Sequence, residues 1–384
     1  VGIRQKISRD ALDAVGRGCD RHEQEQIMDY SSGSAKCVPP TGTESAPSGL
    51  ETAPPRQAVG RMFITVVMPV RNEARFIEQT LWQLVEQDYD PARFEVVVVD
   101  GESSDGTPQL VSRFAERHEN VRLYSNPKRL GSAARNVALR HARGDVVVII
   151  DGHCELTDQG YLGRLASAFE RSGADCVGRP QPLDVSGATL LQRAIAAARS
   201  SPLGHHPDSF VYSSAEQFAP AASVAVAYRR EVFDRLGPFD ERFDACEDYE
   251  FNHRVDRAGL SCFFTPDATV HYAPRATLAG LFRQLLRFRR GRIRLWRKHP
   301  DSFSPGIVPP PLFVAGLLAG LPLSFAAGWL AAIYLAALLL YSVTVLAAAA
   351  SIAIRRRSPA LLLPLLAVFP TIHIGAGTGI LLEL

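Results

Sequence analysis

Residues 94–107 read Phe-Glu-Val-Val-Val-Val-Asp-Gly-Glu-Ser-Ser-Asp-Gly-Thr, a β-branched apolar run that ends abruptly in acids, hydroxyls and glycines. A run of this length without polar alternation reads as a strand buried on both faces. The same pattern occurs twice more. Phe63–Met68 (FITVVM) is followed by Pro69-Val70-Arg71-Asn72-Glu73, and Asp145–Ile150 (DVVVII) is followed by Asp151-Gly152-His153. Between the strands, residues 74–87 place Ile77, Leu81, Leu84 and Val85 on one helical face, with Asn72 as an N-cap. Residues 108–118 and 132–143 also read as helices, the latter with Ser132 as cap. Strand–helix alternation of this kind predicts an α/β fold, a mostly parallel sheet covered by helices. In such sheets ligands bind beyond the carboxyl ends of the strands, which is where the three polar segments fall.

The chain has 384 residues, enough for one large or two modest domains. Its 46% hydrophobic and 21% charged fractions resemble those of a soluble protein, but the apolar residues are concentrated. Residues 312–354 run for 43 positions without a charge, and residues 358–382 add 25 more. About 20 apolar residues span a bilayer, so a purely soluble protein is excluded. A helix of residues 312–354 would extend about 65 Å, roughly twice the hydrocarbon thickness, so two spans joined near Ser324–Gly328 are expected. Arg355-Arg356-Arg357 would then return to the cytoplasmic side. The segment that follows contains Pro364, Pro370 and several glycines and makes a third span, giving crossings at 312–331, 333–354 and 359–382 within a membrane region 301–384.

The formal net charge is +2, yet residues 283–298 carry eight Lys/Arg and no acid, which leaves −6 for the rest of the chain (2 − 8). This balance excludes a basic nucleic-acid-binding coat and predicts a basic interfacial helix over 278–300, lying on anionic lipid. The six cysteines form no CxxC pair and read as reduced thiols. Residues 1–60, polar and rich in Ser, Pro and Gly, read as a disordered tail without a signal sequence. Residues 61–277 would then form a cytoplasmic catalytic domain.

Any one polar strand end could be a backbone turn; three at one sheet edge point to chemistry. Asp151 and His153, two residues apart, can ligate one divalent ion, against the reading of Asp-Gly as a hairpin turn. His271, in Thr-Val-His-Tyr, is a weaker candidate for a third ligand. Cys246-Glu247-Asp248-Tyr249-Glu250 packs carboxylates that raise one another's proton affinity, suiting a general base, or marks an acidic helix start. Gln284, Arg287 and Gly291 fall near one helical face, where Arg287 could clamp a diphosphate or simply rest at a membrane surface. The pair His205-His206 reads as a surface loop.

In order, P-x-R-N-E, D-G-x-S-x-D-G-T, R-N, D-x-H, E-D and Q-x-x-R resemble the family 2 inverting glycosyltransferases, over about residues 62–300. The chain is similar to the exopolysaccharide-building branch, of the succinoglycan-biosynthesis glucosyltransferase type, and His373–Gly379 resembles that branch's last membrane helix. The resemblance implies a GT-A fold, Rossmann-like, followed by C-terminal transmembrane helices. It implies that Pro69, Asn72 and Glu73 border a uridine pocket, that Asp100 binds uracil with Asp105 nearby, and that Arg135 and Asn136 touch the nucleotide sugar. Asp151 and His153 would replace the usual D-x-D pair, with His271 as a later ligand, holding Mn²⁺ or Mg²⁺ beside the nucleotide sugar. Asp248 would be the base and Glu247 its support; Gln284 and Arg287 would meet the donor, and Phe288 in place of Trp counts against processivity.

The implied donor is a UDP-sugar, UDP-glucose in the first place, and the acceptor a polyprenyl-diphosphate-linked glycan. Membrane lipid and polysaccharide assembly proteins are the further partners; nucleic acid is not one. The implied location is the bacterial cytoplasmic (inner) membrane, multi-pass, with the catalytic domain facing the cytoplasm. The rival readings are a polyprenyl-phosphate sugar synthase, a processive polysaccharide synthase and a catalytically silent scaffold of a glycan assembly complex.

Overall fold

The computed structural model describes residues 62–156, 158–204, 210–211 and 213–384. The expected tail over 1–60, with Cys19 and Cys37, lies outside the described residues, as do His205 and His206. The first half alternates strand and helix: β1 (Ile64–Val70), α1 (Ile77–Val85), β2 (Phe94–Asp100), α2 (Thr107–Ala115), β3 (Val121–Ser125), α3 (Gly131–His141) and β4 (Val146–Ile149). The chain continues through β5 (Cys154–Leu156), α4 (Tyr161–Ser172), β6 (Cys176–Arg179) and α5 (Leu190–Arg199). Next come β7 (Gln217–Phe218), β8 (Ala225–Arg229), α6 (Arg230–Leu236), α7 (Glu247–Arg257), β9 (Cys262–Phe264) and β10 (Val270–Tyr272). Four helices close the chain: α8 (Leu278–Lys298), α9 (Pro309–Ser324), α10 (Gly328–Arg355) and α11 (Leu362–Leu381).

The main sheet has the order β3-β2-β1-β4-β8-β6-β9-β7. β3, β2, β1 and β4 run parallel, and β8 is antiparallel to both β4 and β6. Successive side chains of a strand face opposite layers. Accordingly Ile64, Val66, Met68, Val96 and Val98 pack with α1, α2 and α4 on one face, while Val67, Val97, Val99 and Val147 pack with α3 and α7 on the other. Glu95 is fully buried in β2, a position that the apolar reading of the run overlooked. Its carboxylate accepts from Thr65 Oγ1 at 2.8 Å and from Arg143 N at 2.7 Å, and it pairs with Arg122. Burial pushes this carboxyl up, but the hydrogen bonds from Arg143 and Thr65 and the charge of Arg122 prevail and hold it below the usual glutamate value.

Two cap expectations are corrected. α1 is preceded by Phe76 rather than capped by Asn72. Asn72 instead adopts a left-handed φ of 58° and accepts from Ser104 N through Oδ1 at 2.9 Å, tying the loops after β1 and β2 together. Ser132 lies inside α3, behind Leu130, and its hydroxyl donates to Phe243 O at 3.0 Å. Both polar side chains found long-range partners, which a local cap rule does not consider.

Among the described residues three segments, Pro305–Ser324, Gly328–Arg355 and Pro359–Leu381, are long and apolar enough to cross a membrane. The first helix ends at Ser324 instead of the expected 331, because Ala327 is extended (φ −159°, ψ 142°) and the chain turns there. The turn falls where it is expected, near Ser324–Gly328; it is the bounds at 331 and 333 that are late, since an uncharged run gives hydropathy nothing with which to set them. α9 and α10 expose apolar side chains such as Leu318 and Ile354, 70% and 75% accessible. α11 differs: Leu365, Val368 and Phe369 are buried against α5 and α8. Gly379 allows backbone contact with α8, since a Cβ there would strike the Leu286 carbonyl. Beyond α11, Glu383 pairs with Arg290 Nε at 2.6 Å and Arg294 Nε at 2.8 Å of α8. At its other end, Arg356 Nη2 reaches Ser200 Oγ, just after α5, at 3.4 Å.

Candidate active site

A cavity of about 710 Å³ opens at the carboxyl ends of the parallel strands. Pro69 and Glu73 reach it from the loop after β1, Gly101 from the loop after β2, and Asp151 and His153 from the loop after β4. Arg135 comes from the first turns of α3, and Glu247, Asp248 and Tyr249 from the start of α7. Cys246 turns the chain into α7 with a left-handed φ of 63°, presenting those acidic residues at the positive end of the helix dipole. Gln284 and Arg287 of α8 complete the wall. α8 is docked tightly on this turn: a Cβ at Gly291 would lie 2.6 Å from Ala245 O, and Cys246 Sγ sits 3.2 Å from Phe288 O. Asp151 and Asp248, 97 positions apart in sequence (248 − 151), thus face one space.

The electrostatics divide the site in two. Arg135 forms an ion pair with Glu247, both nearly buried. Burial alone would weaken the guanidinium's hold on its proton, but Glu247, Asp248 and Asp151 raise it above the ordinary arginine value. Asp248 has no such partner. Its carboxyl is pushed up by burial and then by the charge of Glu247, with Arg135 opposing. A carboxylate of raised proton affinity in a cleft is suited to taking a proton.

On the other side, Tyr272 hydroxyl donates to Asp151, and His153 Nδ1 lies 2.9 Å from Glu73 Oε1. Burial lowers the His153 pKa, but the Glu73 hydrogen bond and the charges of Asp151 and Glu73 raise it overall. With Nδ1 engaged, Nε2 is the ring atom left to ligate. A carboxylate and an oriented imidazole, each held by a neighbouring group, fit a divalent ion that completes its shell with diphosphate oxygens and water.

Five predicted residues do not line the cavity. His271 occupies the opposite face of β10: strand alternation sends Tyr272 to Asp151 and pairs His271 with Glu155 of β5. Asn136 is engaged at both ends of its amide, donating to Phe239 O and accepting from Phe239 N, each at 2.9 Å. Asp105 accepts from Ala74 N at 3.0 Å and from Thr107 N and Oγ1, and so fastens two loops, like Asn72. Asp100, one residue behind Gly101, accepts from Ser103 N at 3.0 Å and Ser103 Oγ at 2.5 Å. Conversely, sequence reasoning missed Tyr249, Tyr272, Arg199 and Arg289, which do line it. Only Tyr272 carried a signal, as the residue alternating with His271.

Asn136 therefore yields a prediction distinct from donor contact. Asn136→Ala removes two buried hydrogen bonds and leaves the Phe239 N–H and C=O unsatisfied, at a cost of about 1–3 kcal/mol. A thermal-shift measurement in detergent should show a Tm lower by several degrees; an unchanged Tm would mean that the 239–241 loop is held by other contacts.

Residues 65–237 match the model of glycosyl transferase family 2. The succinoglycan biosynthesis protein ExoA of Rhizobium meliloti (strain 1021) is 33% identical over 271 residues, 70% of this chain and 80% of the relative. The chain belongs to glycosyl transferase family 2. A transferase of Methanococcus voltae that adds a diacetamido-glucuronosyl unit to dolichyl N-acetyl-α-D-glucosaminyl phosphate is 24% identical, covering 59% of this chain and 71% of that one. Among solved structures, a Pyrobaculum calidifontis mannosyltransferase in complex with GDP-Man and Mn²⁺ superposes with TM-score 0.52 at 25% identity, over 80% of this chain and 86% of that chain. The sheet and its flanking helices are thus those of a GT-A glycosyltransferase, and the silent-scaffold reading gives way to an enzyme.

Proposed function

We propose that this family 2 glycosyltransferase transfers a sugar from a UDP-sugar, with inversion, to a hydroxyl of a polyprenyl-diphosphate-linked glycan at the inner face of a bacterial cytoplasmic membrane. The observation that carries the reading is the shared cavity of Asp248, a half-buried carboxyl of raised proton affinity, with Asp151, His153 and Arg287. Pro69 and Glu73 border the nucleoside end, where Asp100 shapes the loop behind Gly101. Asp151 and His153 hold the divalent ion, which when bound supplies positive charge to the diphosphate. Asp248 removes the acceptor proton as that oxygen attacks the anomeric carbon; the bond from that carbon to UDP breaks, and UDP leaves as an anion. Arg287 meets that charge, with Gln284 beside it. Glu247 holds Arg135 and keeps the field around Asp248 negative.

Glucose as the donor sugar rests on the resemblance of the motifs to the glucosyltransferase type of the family, and a lipid-linked acceptor is supported by the dolichyl-linked acceptor in the Methanococcus relative's name. The test is to incubate washed membranes with Mn²⁺ and a panel of radiolabelled UDP- and GDP-sugars and to extract the lipid. Label from UDP-glucose in the lipid phase, one sugar per acceptor, is expected. Label only from another donor would replace the donor assignment, and a long polymer would restore the processive reading.

The membrane arrangement we propose has two crossings, α9 and α10, rather than three. Arg355–Arg357 closes α10, and positive clusters favour the cytoplasmic side. α11 is held against α5 and α8: Leu365, Val368 and Phe369 are buried there, Glu383 just after it pairs with Arg290 and Arg294 of α8, and Arg356 at the end of α10 reaches Ser200, so in this arrangement α11 lies in the interface alongside the basic α8. A cysteine placed after Leu384 should react with a membrane-impermeant maleimide in inside-out vesicles and not in intact cells. The opposite labelling would make α11 a third span.

A further inference from the structure

The eight basic side chains of the segment 283–298 are sorted by the fold. Arg290 and Arg294 pair with Glu383, Arg294 also with Asp244, and Lys298 with Asp240 and Glu250. Arg297 donates to the Leu384 backbone oxygen. Among the described residues, Arg283, Arg287, Arg289 and Arg292 have no carboxylate partner, and neither has Arg199 at the end of α5; Arg283, four residues before Arg287, lies on the same side of α8 as it. Residues two apart on a helix diverge by about 200°, so Arg287 and Arg289 leave α8 on nearly opposite sides. Residues three apart share a face, which sets Arg289 with Arg292. The unpaired cations therefore define two positions, of which the proposed donor reading uses only that of Arg287.

The second position is a built one. Arg289 Nε is buried without a hydrogen-bond partner. Its guanidinium holds its proton less tightly than usual, through burial first, then the charge of Arg292 and more distantly that of Arg199. Arg292 stacks over the Tyr249 ring at 4.9 Å, and Tyr249 meets Phe288 edge-on at 5.5 Å. Arg289, Tyr249 and Phe288 line both the main cavity and a second one of about 280 Å³, which Arg292 also lines. Asp301, which also lines the second cavity, is paired with His253 and Arg257, so the like charges of Arg289 and Arg292 stay unneutralised and repel one another, and an anion placed among them relieves that repulsion. Beside Arg199 and Arg289 the wall of the main cavity turns apolar, with Ile195 from α5, Leu285 from α8, and Ile372 and Ala376 from α11. The ligand that matches is a phosphate joined to hydrocarbon.

We propose that Arg199, Arg289 and Arg292 bind the phosphate or diphosphate linking the acceptor glycan to its lipid, with the first isoprene units lying along Ile195, Leu285, Ile372 and Ala376. This rests on the glycosyl-transfer reading of the cavity, since Tyr249 directly follows Asp248 and brings a sugar on that phosphate to the base. It gives the acceptor its own part of the shared cavity, beside Arg199 and Arg289 rather than Arg287, so both substrates are held at once.

The test is isothermal titration of the full chain in detergent, with Mn²⁺ and saturating UDP, against farnesyl diphosphate and against inorganic pyrophosphate. Farnesyl diphosphate should bind without displacing UDP and at least tenfold more tightly than pyrophosphate. The double variant Arg289→Gln/Arg292→Gln should weaken it at least tenfold; UDP titrated beforehand into the UDP-free variant reports that the fold persists, and Arg199→Gln serves where the double variant does not fold. Equal affinity for pyrophosphate would overturn the lipid assignment. Displacement of UDP, or unaltered binding by a folded variant, would overturn the site. Failure of the unaltered chain to bind UDP would instead sink the transferase reading beneath it.

Discussion

The Asp248→Asn chain should bind UDP as the unaltered protein does and transfer sugar about 10³-fold more slowly. Asparagine keeps the shape of the side chain and its place at the start of α7 but cannot accept a proton from the acceptor hydroxyl. A positioned base contributes roughly 10²–10⁴-fold, which sets the size of the loss. Isothermal titration with UDP and a single-turnover transfer assay separate the two readouts; a variant within tenfold of the normal rate would remove Asp248 from the role. The pH profile adds a second constraint. The base works only when deprotonated, and burial and Glu247 raise the Asp248 pKa. The acid limb of kcat/KM should therefore lie above the ordinary aspartate value of about 3.9. Glu247→Gln removes the like charge and leaves Arg135 beside Asp248, so the limb should move to lower pH. Movement to higher pH would mean that Glu247 acts chiefly through its ion pair with Arg135.

The fold was legible because its signal is local. β2 needs only its own composition to be read as buried, and the alternation of β1, α1, β2, α2, β3, α3 and β4 follows from hydrophobic period. The site was legible to the extent that its residues sit at strand ends and helix starts, as Asp151, His153 and Asp248 do. Where the reading failed, a distant partner decided the outcome. Asn136 follows Arg135 and was expected beside the nucleotide sugar, but successive helical residues point about 100° apart, and Asn136 faces Phe239 instead. For His271 and Tyr272 the period-2 rule says that only one can face Asp151; which one depends on pairing with β5, 115 residues away by the His271–Leu156 count (271 − 156). Arg199 shows no motif at all, since its importance arises only when α5 meets α8.

The second large effect concerns the ion. Chelation with EDTA should stop transfer, and Mn²⁺ in excess should restore it. Asp151→Asn should raise the Mn²⁺ concentration for half-maximal activity by about 100-fold, equivalent to about 2.7 kcal/mol, because a full negative charge is replaced by a neutral amide at a site for a hard cation. Glu73→Gln should raise it by about 10–100-fold although Glu73 need not touch the ion, since Glu73 orients the His153 ring through Nδ1. His271→Ala should leave the metal dependence where it was, because its side chain occupies the other face of β10. The four measurements discriminate between arrangements that activity alone would not. A ligand set that includes His271 predicts a large shift for His271→Ala, and a purely structural Asp151, serving only to receive the Tyr272 hydroxyl, predicts that added Mn²⁺ will not rescue Asp151→Asn. Rescue by metal is therefore the outcome that ties Asp151 to the cation rather than to the packing of β10.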